Sequence, residues 1–260
     1  MAGAFTCSKM STNNISAVII TLNEENSILR CLTSIADICD EILVIDSRST
    51  DKTKEICEAF PKVRFIEMDW LGYSQTKNKG HALASHNWIL SIDADECLDE
   101  SCVQSILQVK DNLSGAYTFN RKNFYGQQWV KHGGWYPDVK VRLFDKTLCR
   151  WKGDHVHEVL QVNAGVQIIQ LKGDIEHYTV TSNAQHLQTI HKYAKLAASR
   201  DLKANKPMTA SQALSSAFAH FIKIYIIKLG FLDGLIGFRI ARNSGFSKWL
   251  RFKYFQDLKS

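Results

Sequence analysis

Short apolar runs alternate with amphipathic segments between residues 15 and 95, and this alternation restricts the folds open to the chain. Each run is rich in β-branched or other apolar residues, as is typical of a buried strand. Helix-start residues and apolar side chains at helical spacing follow the first three runs. The predicted strands are residues 15–21, 41–45, 63–66 and 88–92, and the predicted helices are residues 27–36, 53–60 and 74–85. The alternation predicts a parallel sheet with right-handed crossovers.

Polar residues follow three of these strands and should share one edge of the sheet, where α/β folds bind their ligands. They are Thr21, Asn23, Asp46, Ser47, Asp93 and Asp95. The two carboxylates of Asp93-Ala94-Asp95 can hold Mg²⁺ or Mn²⁺, which takes oxygen ligands and bridges protein carboxylates to a substrate's phosphates. The alternative is that these acids cap the helix predicted to begin near Asp99.

Sequence motifs that together indicate a family are spread over residues 15–240. In the first 110 residues they are Thr21-Leu22-Asn23-Glu24, residues 44–53 and Asp93-Ala94-Asp95. Together these motifs resemble the signature of the family 2 inverting glycosyltransferases, which have the GT-A fold. Family members often have Gly at the position of Arg48, so Arg48 either takes an ordinary turn conformation or adds a charge near the donor.

A second set of motifs narrows the resemblance. The motifs are Lys77-Asn78-x-Gly80, residues 132–138, Arg142-Leu143-Phe144, His157-Glu158 and residues 230–234. They are similar to bacterial lipopolysaccharide-core glucosyltransferases that modify an inner-core heptose. The resemblance implies a Rossmann-like parallel or mixed sheet with helices on both faces, plus C-terminal amphipathic helices. It also implies inverting transfer of a hexose, glucose from UDP-glucose, to a lipid-linked saccharide of the lipopolysaccharide core.

The resemblance also implies roles at the donor site. Thr21, Asn23 and Glu24 are assigned to the nucleotide-binding first turn, and Asp46 to the base or ribose. Asp93 is assigned to the ribose and metal, and Asp95 to the metal. Lys77 could pair with phosphate oxygens, because an ammonium group suits them. Asp46 could instead cap the helix that follows it.

Inverting transfer needs a carboxylate that takes the proton of the acceptor hydroxyl. Glu158 is the first candidate for this base and Asp138 is the second, and distance along the chain cannot choose between them. His157 could orient Glu158 or contact the diphosphate. His155 and His157 alternate along a predicted strand and could bind zinc, but the sequence shows no third ligand at a recognisable spacing.

The middle section, residues 115–180, contains many glycines, which predict hairpins and loops on the acceptor side. Trp135 and Tyr136 offer flat apolar faces on which a sugar can stack, although aromatic residues also pack in hairpins. Arg142 suits an acidic acceptor. These three residues are the candidate acceptor contacts, together with His157.

Basic charge is concentrated near the C-terminus. Residues 200–260 contain 11 Lys and Arg against 3 Asp and Glu, whereas residues 1–110 contain 10 against 16. Phe221, Ile222, Tyr225 and Leu229 recur at helical spacing among these basic residues, which predicts a helix lying on an anionic membrane surface. The alternative is a helix packed on the catalytic domain. No nucleic-acid-binding motif accompanies the charge, so nucleic acid is not an expected partner.

The predicted organisation is a flexible leader (residues 1–14), a nucleotide-sugar-binding half (15–110), an acceptor-binding half of the same domain (111–182) and a helical membrane-associating region (183–260). Seven cysteines without a C-x-x-C pair predict reduced thiols, and the leader resembles no signal peptide. We therefore expect a cytoplasmic protein, peripheral on the inner face of the bacterial inner membrane.

Two other functions stay open, and the sequence argues against a third. One is transfer to another cell-envelope glycan, and another is a non-enzymatic, membrane-bound sugar-binding protein. The third, a nucleotidyltransferase, would need a glycine-rich basic first loop, which Thr21-Leu22-Asn23-Glu24 does not provide.

Overall fold

The structure, a computed structural model, describes residues 13–153, 158–206 and 209–259. Its strands are β1 Ile15–Thr21, β2 Glu41–Asp46, β3 Val63–Glu67, β4 Trp88–Asp93, β5 Glu96–Leu98, β6 Ala116–Tyr125, β7 Gln128–Trp129, β8 Asp138–Asp145, β9 Cys149–Lys152, β10 Val159–Val162 and β11 Ile168–Val180. Its α-helices are α1 Ile28–Ile35, α2 Thr53–Glu58, α3 Tyr73–Leu83, α4 Glu100–Val109, α5 Asn183–Lys203, α6 Ala210–Ile222 and α7 Gly234–Lys259. Residues 1–12 of the predicted leader lie outside the described residues.

The main sheet has the strand order β3-β2-β1-β4-β8-β6-β11-β5, with β7 paired to β6. Strands β1 to β4 pair in parallel, and the register sets Thr21 opposite Asp46 and Ile20 opposite Asp93. These strands end at the same level, so Thr21, Asp46 and Asp93 lie along one edge of the sheet, as predicted. Strand β8 joins β4 antiparallel, with Trp88 opposite Asp145, so the sheet is mixed.

Alternate side chains of the central strands pack into two separate cores. On β2, Ile42 and Val44 belong to the core that contains the buried residues of α1 and Cys102 of α4. Leu43 and Ile45 belong to the opposite core, with Ala84 at the end of α3 and Cys149 of β9. A period of two along the strand produces these two faces. Helices therefore cover both faces, and the predicted α/β fold class with C-terminal helices is confirmed.

The chain divides into two compact units. The first contains the described residues up to Asn120 and those of Val139–Glu176; the second contains Arg121–Asp138 and the described residues from His177 onward. The sequence analysis placed residues 111–182 in a single half. The units divide that segment: Arg121–Asp138 belongs to the second unit, and Val139–Glu176 belongs to the first.

The second unit is mainly helical. Helix α5 packs on α7 through Ile190, Ala194 and Leu250, and the carboxylate of Asp201 pairs with Arg251. Helix α6 also packs on α7: the rings of Phe221 and Phe238 meet edge to face at 6.0 Å. None of the described helices combines the length and the apolarity needed to cross a membrane.

Every described cysteine is buried, and none of them forms a disulfide. They are Cys31, Cys39, Cys57, Cys97, Cys102 and Cys149. Burial raises the pKa of the Cys39 and Cys57 thiols to about 12 and that of the Cys97 and Cys149 thiols to about 11. These thiols stay protonated and unreactive at neutral pH, because the thiolate is the nucleophilic form.

Candidate functional site

Hydrogen bonds join the turn after β1 to the turn after β2. The amide of Asn23 donates to the hydroxyl of Ser49 at 2.8 Å, and its side-chain oxygen accepts from the amide of Thr50, also at 2.8 Å. The amide of Glu24 donates to the hydroxyl of Thr53 at 2.8 Å. The first turn is therefore held in place by the second. These contacts explain why the two motifs occur together in the sequence.

Thr21 and Asp46 lie inside this edge of the first unit. Asp46 is fully buried, and its carboxylate accepts from the amide of Ser49 at 2.7 Å and from the Ser49 hydroxyl. The carboxylate thus stabilises the turn that follows β2. The buried Thr21 hydroxyl has no hydrogen-bond partner among the described residues. Nucleotide contacts by Thr21, Asn23 and Asp46 stay predictions.

Arg48 does not take an ordinary turn conformation. Its φ is +64°, in the left-handed region that glycine adopts without strain. Its guanidinium lies 2.9 Å from the carboxylate of Asp69, and both side chains are more than 70% exposed. The turn therefore keeps the shape that a glycine would give it, and Arg48 adopts that shape at a conformational cost.

Arg48→Gly is expected to raise the free energy of unfolding by about 0.5–1 kcal/mol, since glycine removes the cost of a left-handed backbone. Loss of the exposed ion pair with Asp69 should change little. Chemical denaturation measures the difference. Arg48→Ala is the matched control, because it loses the ion pair and keeps the Cβ. Equal stability of the two variants would refute the explanation.

Asp93 is held between two cations in the first unit. The ammonium of Lys77 lies 2.9 Å from one carboxylate oxygen, and the guanidinium of Arg142 lies 2.9 Å from the other. Arg142 also pairs with Glu96, which is 1% exposed. Burial alone would lower the pKa of the Arg142 guanidinium, but the carboxylates of Glu96 and Asp93 outweigh it and raise that pKa. Arg142 is therefore charged and fixed in place.

Glu96 is a residue that sequence reasoning missed. Its carboxylate accepts from the amide of Asp93 at 3.1 Å and pairs with Arg142, so it orients both. Its position directly after Asp95 was the available signal. Arg142 was expected to contact an acidic acceptor; its observed partners are Asp93 and Glu96, and acceptor contact stays a prediction.

Negative charge accumulates beside the first turn. Burial raises the pKa of the Glu24 carboxyl, and the charges of Asp95, Asp51 and Asp93 raise it further, although a hydrogen bond from Ser27 opposes them. A carboxyl group whose pKa is raised by neighbouring acids lies in a negative potential. A hard cation would relieve that potential, and the binding of Mg²⁺ or Mn²⁺ here stays a prediction.

The described residues contain no group of three or more His, Cys, Asp and Glu side chains that could hold a metal by themselves. Both carboxylate oxygens of Asp93 already pair with Lys77 and Arg142. Metal binding by Asp95 and Asp93 stays a prediction.

Glu158 lies beside the ion-paired group of Asp93, Lys77, Arg142 and Glu96, the Asp93 cluster. One of its carboxylate oxygens is 3.9 Å from the ammonium of Lys77. Lys77 is 4% exposed and also lies over the ring of Trp151, 4.5 Å from its centroid. Asn78 holds β9 in place through two hydrogen bonds with the backbone of Trp151. Its side-chain nitrogen donates to the Trp151 carbonyl at 2.9 Å, and its side-chain oxygen accepts from the Trp151 amide at 3.0 Å. His157 and His155 lie outside the described residues.

Close packing of α3 places Lys77. A Cβ added at Gly80 would lie 2.6 Å from a methyl group of Val18 on β1, so only glycine allows the helix to approach the sheet this closely. In this motif Lys77 supplies a cation, Asn78 hydrogen-bonds to the neighbouring strand, and Gly80 allows the helix to pack closely on the sheet.

The remaining candidates belong to the second unit. The carboxylate of Asp138 pairs with Arg121, at 2.9 Å from Nε and 2.6 Å from a terminal nitrogen. Trp135 is half-buried, and its carbonyl accepts from Asn123 at 2.9 Å. The ring of Tyr136 meets Trp129 edge to face at 5.2 Å. Of the two candidate bases, only Glu158 lies in the same unit as the Asp93 cluster.

The chain is similar to several known proteins. Residues 16–167 match the family model "Glycosyl transferase family 2". An uncharacterized glycosyltransferase of Rickettsia prowazekii is 27% identical over 94% of this chain and 87% of its own length. The lipopolysaccharide core biosynthesis glycosyltransferase LpsC of Rhizobium meliloti is 27% identical over 86% of this chain and 85% of its own length. A crystal structure of S. aureus TarS (residues 1–349) is 14% identical with a TM-score of 0.48, over 94% of this chain and 92% of that chain.

Proposed function

The chain belongs to glycosyl transferase family 2, and from this premise we propose that it transfers a hexose with inversion from UDP-glucose to a heptose of the lipopolysaccharide inner core. The single observation that carries the proposal is the cluster in which Glu158 lies 3.9 Å from Lys77, itself paired with Asp93. A base candidate and the Asp93-Ala94-Asp95 motif are thus adjacent in one unit. The similarity to LpsC, named for lipopolysaccharide core biosynthesis, supports the acceptor class.

The donor is proposed to bind along the edge formed by the turns after β1, β2 and β4. Carboxylates there can accept hydrogen bonds from uracil and ribose, as proposed for Asp46 and Asp93. The hydroxyl of Thr21, which lacks a partner among the described residues, offers a further contact. Lys77 would reach the phosphates if its pairing with Asp93 were shared with the donor.

A divalent cation, Mg²⁺ or Mn²⁺, is the proposed cofactor, with Asp95 as its main protein ligand and Asp93 beside it. When bound, the cation neutralises charge on the departing diphosphate. Burial is the main cause of the raised pKa of Glu24, and the carboxylates of Asp95, Asp51 and Asp93, which raise it further, would favour a cation at this place.

Glu158 is proposed as the general base. As the acceptor oxygen forms its bond to the anomeric carbon, the bond from that carbon to the phosphate oxygen breaks and UDP leaves. The hydroxyl proton passes to the Glu158 carboxylate. Lys77, close to this carboxylate, orients it. Trp135, Tyr136 and His157 are the proposed acceptor contacts, and Asp138 is the alternative base.

We further propose that the protein works on the cytoplasmic face of the inner membrane, bound peripherally through its C-terminal helices. A lipid-linked acceptor requires access to the bilayer. Exposed basic side chains of the second unit support this, among them Lys223, Lys228, Arg239 and Arg242. Such residues are attracted to anionic lipid headgroups.

The test is incubation with a panel of UDP-sugars, Mg²⁺ or Mn²⁺ and truncated core acceptors, followed by mass measurement. We expect the acceptor mass to rise by one hexose with UDP-glucose and a heptose-terminated core, and we expect a chelator to stop the reaction. Other cell-envelope glycans form a second acceptor arm. Transfer only to that arm would replace the heptose assignment, and no transfer or donor hydrolysis under any condition would refute the enzyme proposal.

A further inference from the structure

The apolar tip is the segment 226–235, which connects α6 to α7 in the second unit. It begins within a π-helical turn, Lys223–Ile227, and contains a 3₁₀ turn, Gly230–Asp233. Six large apolar side chains in it are exposed: Ile226 49%, Ile227 71%, Leu229 47%, Phe231 43%, Leu232 56% and Leu235 76%. This concentration of exposed aliphatic and aromatic groups indicates a contact surface.

The tip differs from the apolar stripe predicted from helical spacing. Phe221 and Tyr225 of that stripe stack on each other at 5.3 Å, and Phe238 meets both rings edge to face. They belong to the packing between α6 and α7. The exposed apolar groups instead concentrate where the helix changes direction. Leu229 there has a φ of +58°, a costly conformation for a bulky residue, and such strain is often associated with function.

Asp233 fastens the tip to the loop that precedes Trp135. Its buried carboxylate accepts from the amide of His132 at 2.8 Å and from the amide of Lys131 at 3.3 Å, and it lies 3.1 Å from Nδ1 of the His132 ring. Its backbone carbonyl accepts from Gln128 at 3.1 Å. The Asp233 carboxylate thus holds several hydrogen-bond donors of the loop in place.

Backbone and side-chain packing reinforce this connection. The amide of Gly133 donates to the carbonyl of Lys228 at 2.8 Å. A Cβ added at Gly134 would lie 2.3 Å from the Lys228 ammonium, so the lysine side chain runs directly over the loop. Trp135 packs in a cluster with Ile224 and Ile236, on either side of the tip. The loop 131–135 and the tip therefore form one packed substructure.

We propose that the apolar tip inserts into the bilayer that carries the acceptor and that Asp233, as a positioning residue, transmits this docking to residues 131–138. The occupant is an anionic lipid bilayer because of charge. Asp233 is the sole acidic residue in the sequence from 202 to 256, and its carboxylate is buried, whereas Lys223, just before the tip, and Lys228, within it, are exposed. Apolar groups flanked by lysines fit the headgroup and acyl boundary of such a bilayer.

The inference rests on the proposed function because residues 135–138 are the predicted acceptor side and include the alternative base Asp138. Docking on a bilayer would restrain that side further. Its test uses vesicle binding and amide hydrogen exchange, which need no turnover, so it can fail or succeed separately from the transferase proposal.

The first experiment is co-sedimentation of the full chain with phosphatidylethanolamine–phosphatidylglycerol vesicles. Ile227→Ser with Leu235→Ser should weaken binding at least about tenfold, because two exposed apolar side chains no longer enter the lipid. Leu107→Ser with Ile168→Ser is the matched control, since both residues are exposed in the first unit, and it should bind like the wild type. Equal binding by the tip and control variants overturns the insertion.

The second experiment follows amide exchange of residues 131–138 with and without the same vesicles. Vesicles should slow exchange in the wild type. Asp233→Asn should bind vesicles equally but lose this protection, because an amide cannot accept from all the donors that the carboxylate satisfies. With a lipid-borne acceptor, its KM for the acceptor should rise at least about tenfold while donor affinity stays unchanged.

His132→Ala is the second variant, should Asp233→Asn fail to fold. It removes one side-chain contact and leaves both backbone donors, so it should show a smaller loss of protection on vesicles. Protection equal to the wild type in every folded variant, or the absence of any vesicle effect on residues 131–138, overturns the positioning role.

Discussion

Glu158→Gln is expected to lower kcat by about 10²–10⁴-fold, the range typical of a lost general base. The amide has the shape of the carboxylate but cannot take the acceptor proton. Lys77 keeps its 2.9 Å contact with Asp93, so the donor side of the cluster should remain in place. Steady-state kinetics with a soluble acceptor and UDP-sugar binding measure the two effects separately, and the donor affinity should be nearly unchanged.

Asp138→Asn is the comparison for this experiment. Asp138 is ion-paired with Arg121, so its substitution should affect the local structure of the second unit more than the chemical step. Near-normal turnover by Glu158→Gln together with an inactive, folded Asp138→Asn would transfer the role of base to Asp138.

Arg142→Met is expected to lower the free energy of unfolding by about 3–5 kcal/mol, the usual effect of removing one partner of a buried ion pair. Glu96, 1% exposed, would then lose the guanidinium that lies 2.5 Å from its buried carboxylate, and Asp93 would lose its 2.9 Å contact with Arg142. Denaturant titration at neutral pH measures the change. Activity should also fall, because Asp93 would lose its orientation.

Two further variants make the stability result specific. Adding Glu96→Gln to Arg142→Met should recover part of the loss, since a neutral amide then replaces the buried carboxylate that lost the Arg142 guanidinium. Lys54→Met breaks the half-exposed pair with Glu67 and should cost less than about 1 kcal/mol. A loss for Arg142→Met no larger than that for Lys54→Met would contradict the structural role of the Glu96 pair.

Local sequence signals were sufficient for the parallel part of the fold. The β-branched run at residues 15–21 coincides with β1, and the run at 41–45 is extended by one residue in β2. Alternation and length sufficed because both faces of these strands are buried. Their shared edge followed directly, since parallel strands with short connections end at the same level.

The sequence did not predict which side chains distant along the chain would meet in the fold. Arg142 and Asp93 are 49 residues apart in the chain and meet because β8 enters the sheet antiparallel beside β4. No periodicity in either segment encodes that neighbour. Arg142 consequently looked like an exposed acceptor contact, and the role of Glu96 went unnoticed.

The C-terminal region was difficult for a related reason. Helical spacing assumes one straight helix, so it grouped Phe221 and Tyr225 with Leu229 on a single face. The chain instead passes through a π turn, a left-handed residue and a 3₁₀ turn, which separate the packed rings from the exposed apolar side chains. Irregular backbone of this kind has no periodic signal.

The burial of the native thiols makes selective chemical labelling of this protein possible. Because every described cysteine is buried, a cysteine introduced at Leu232, which is 56% exposed, should be modified far faster than those six. In a Cys7→Ser background, an environment-sensitive fluorophore attached there would report the polarity around that side chain. The fluorescence of this label would therefore measure how deeply residue 232 enters a bilayer. The six buried cysteines, whose side chains fill the core, would not need to be replaced.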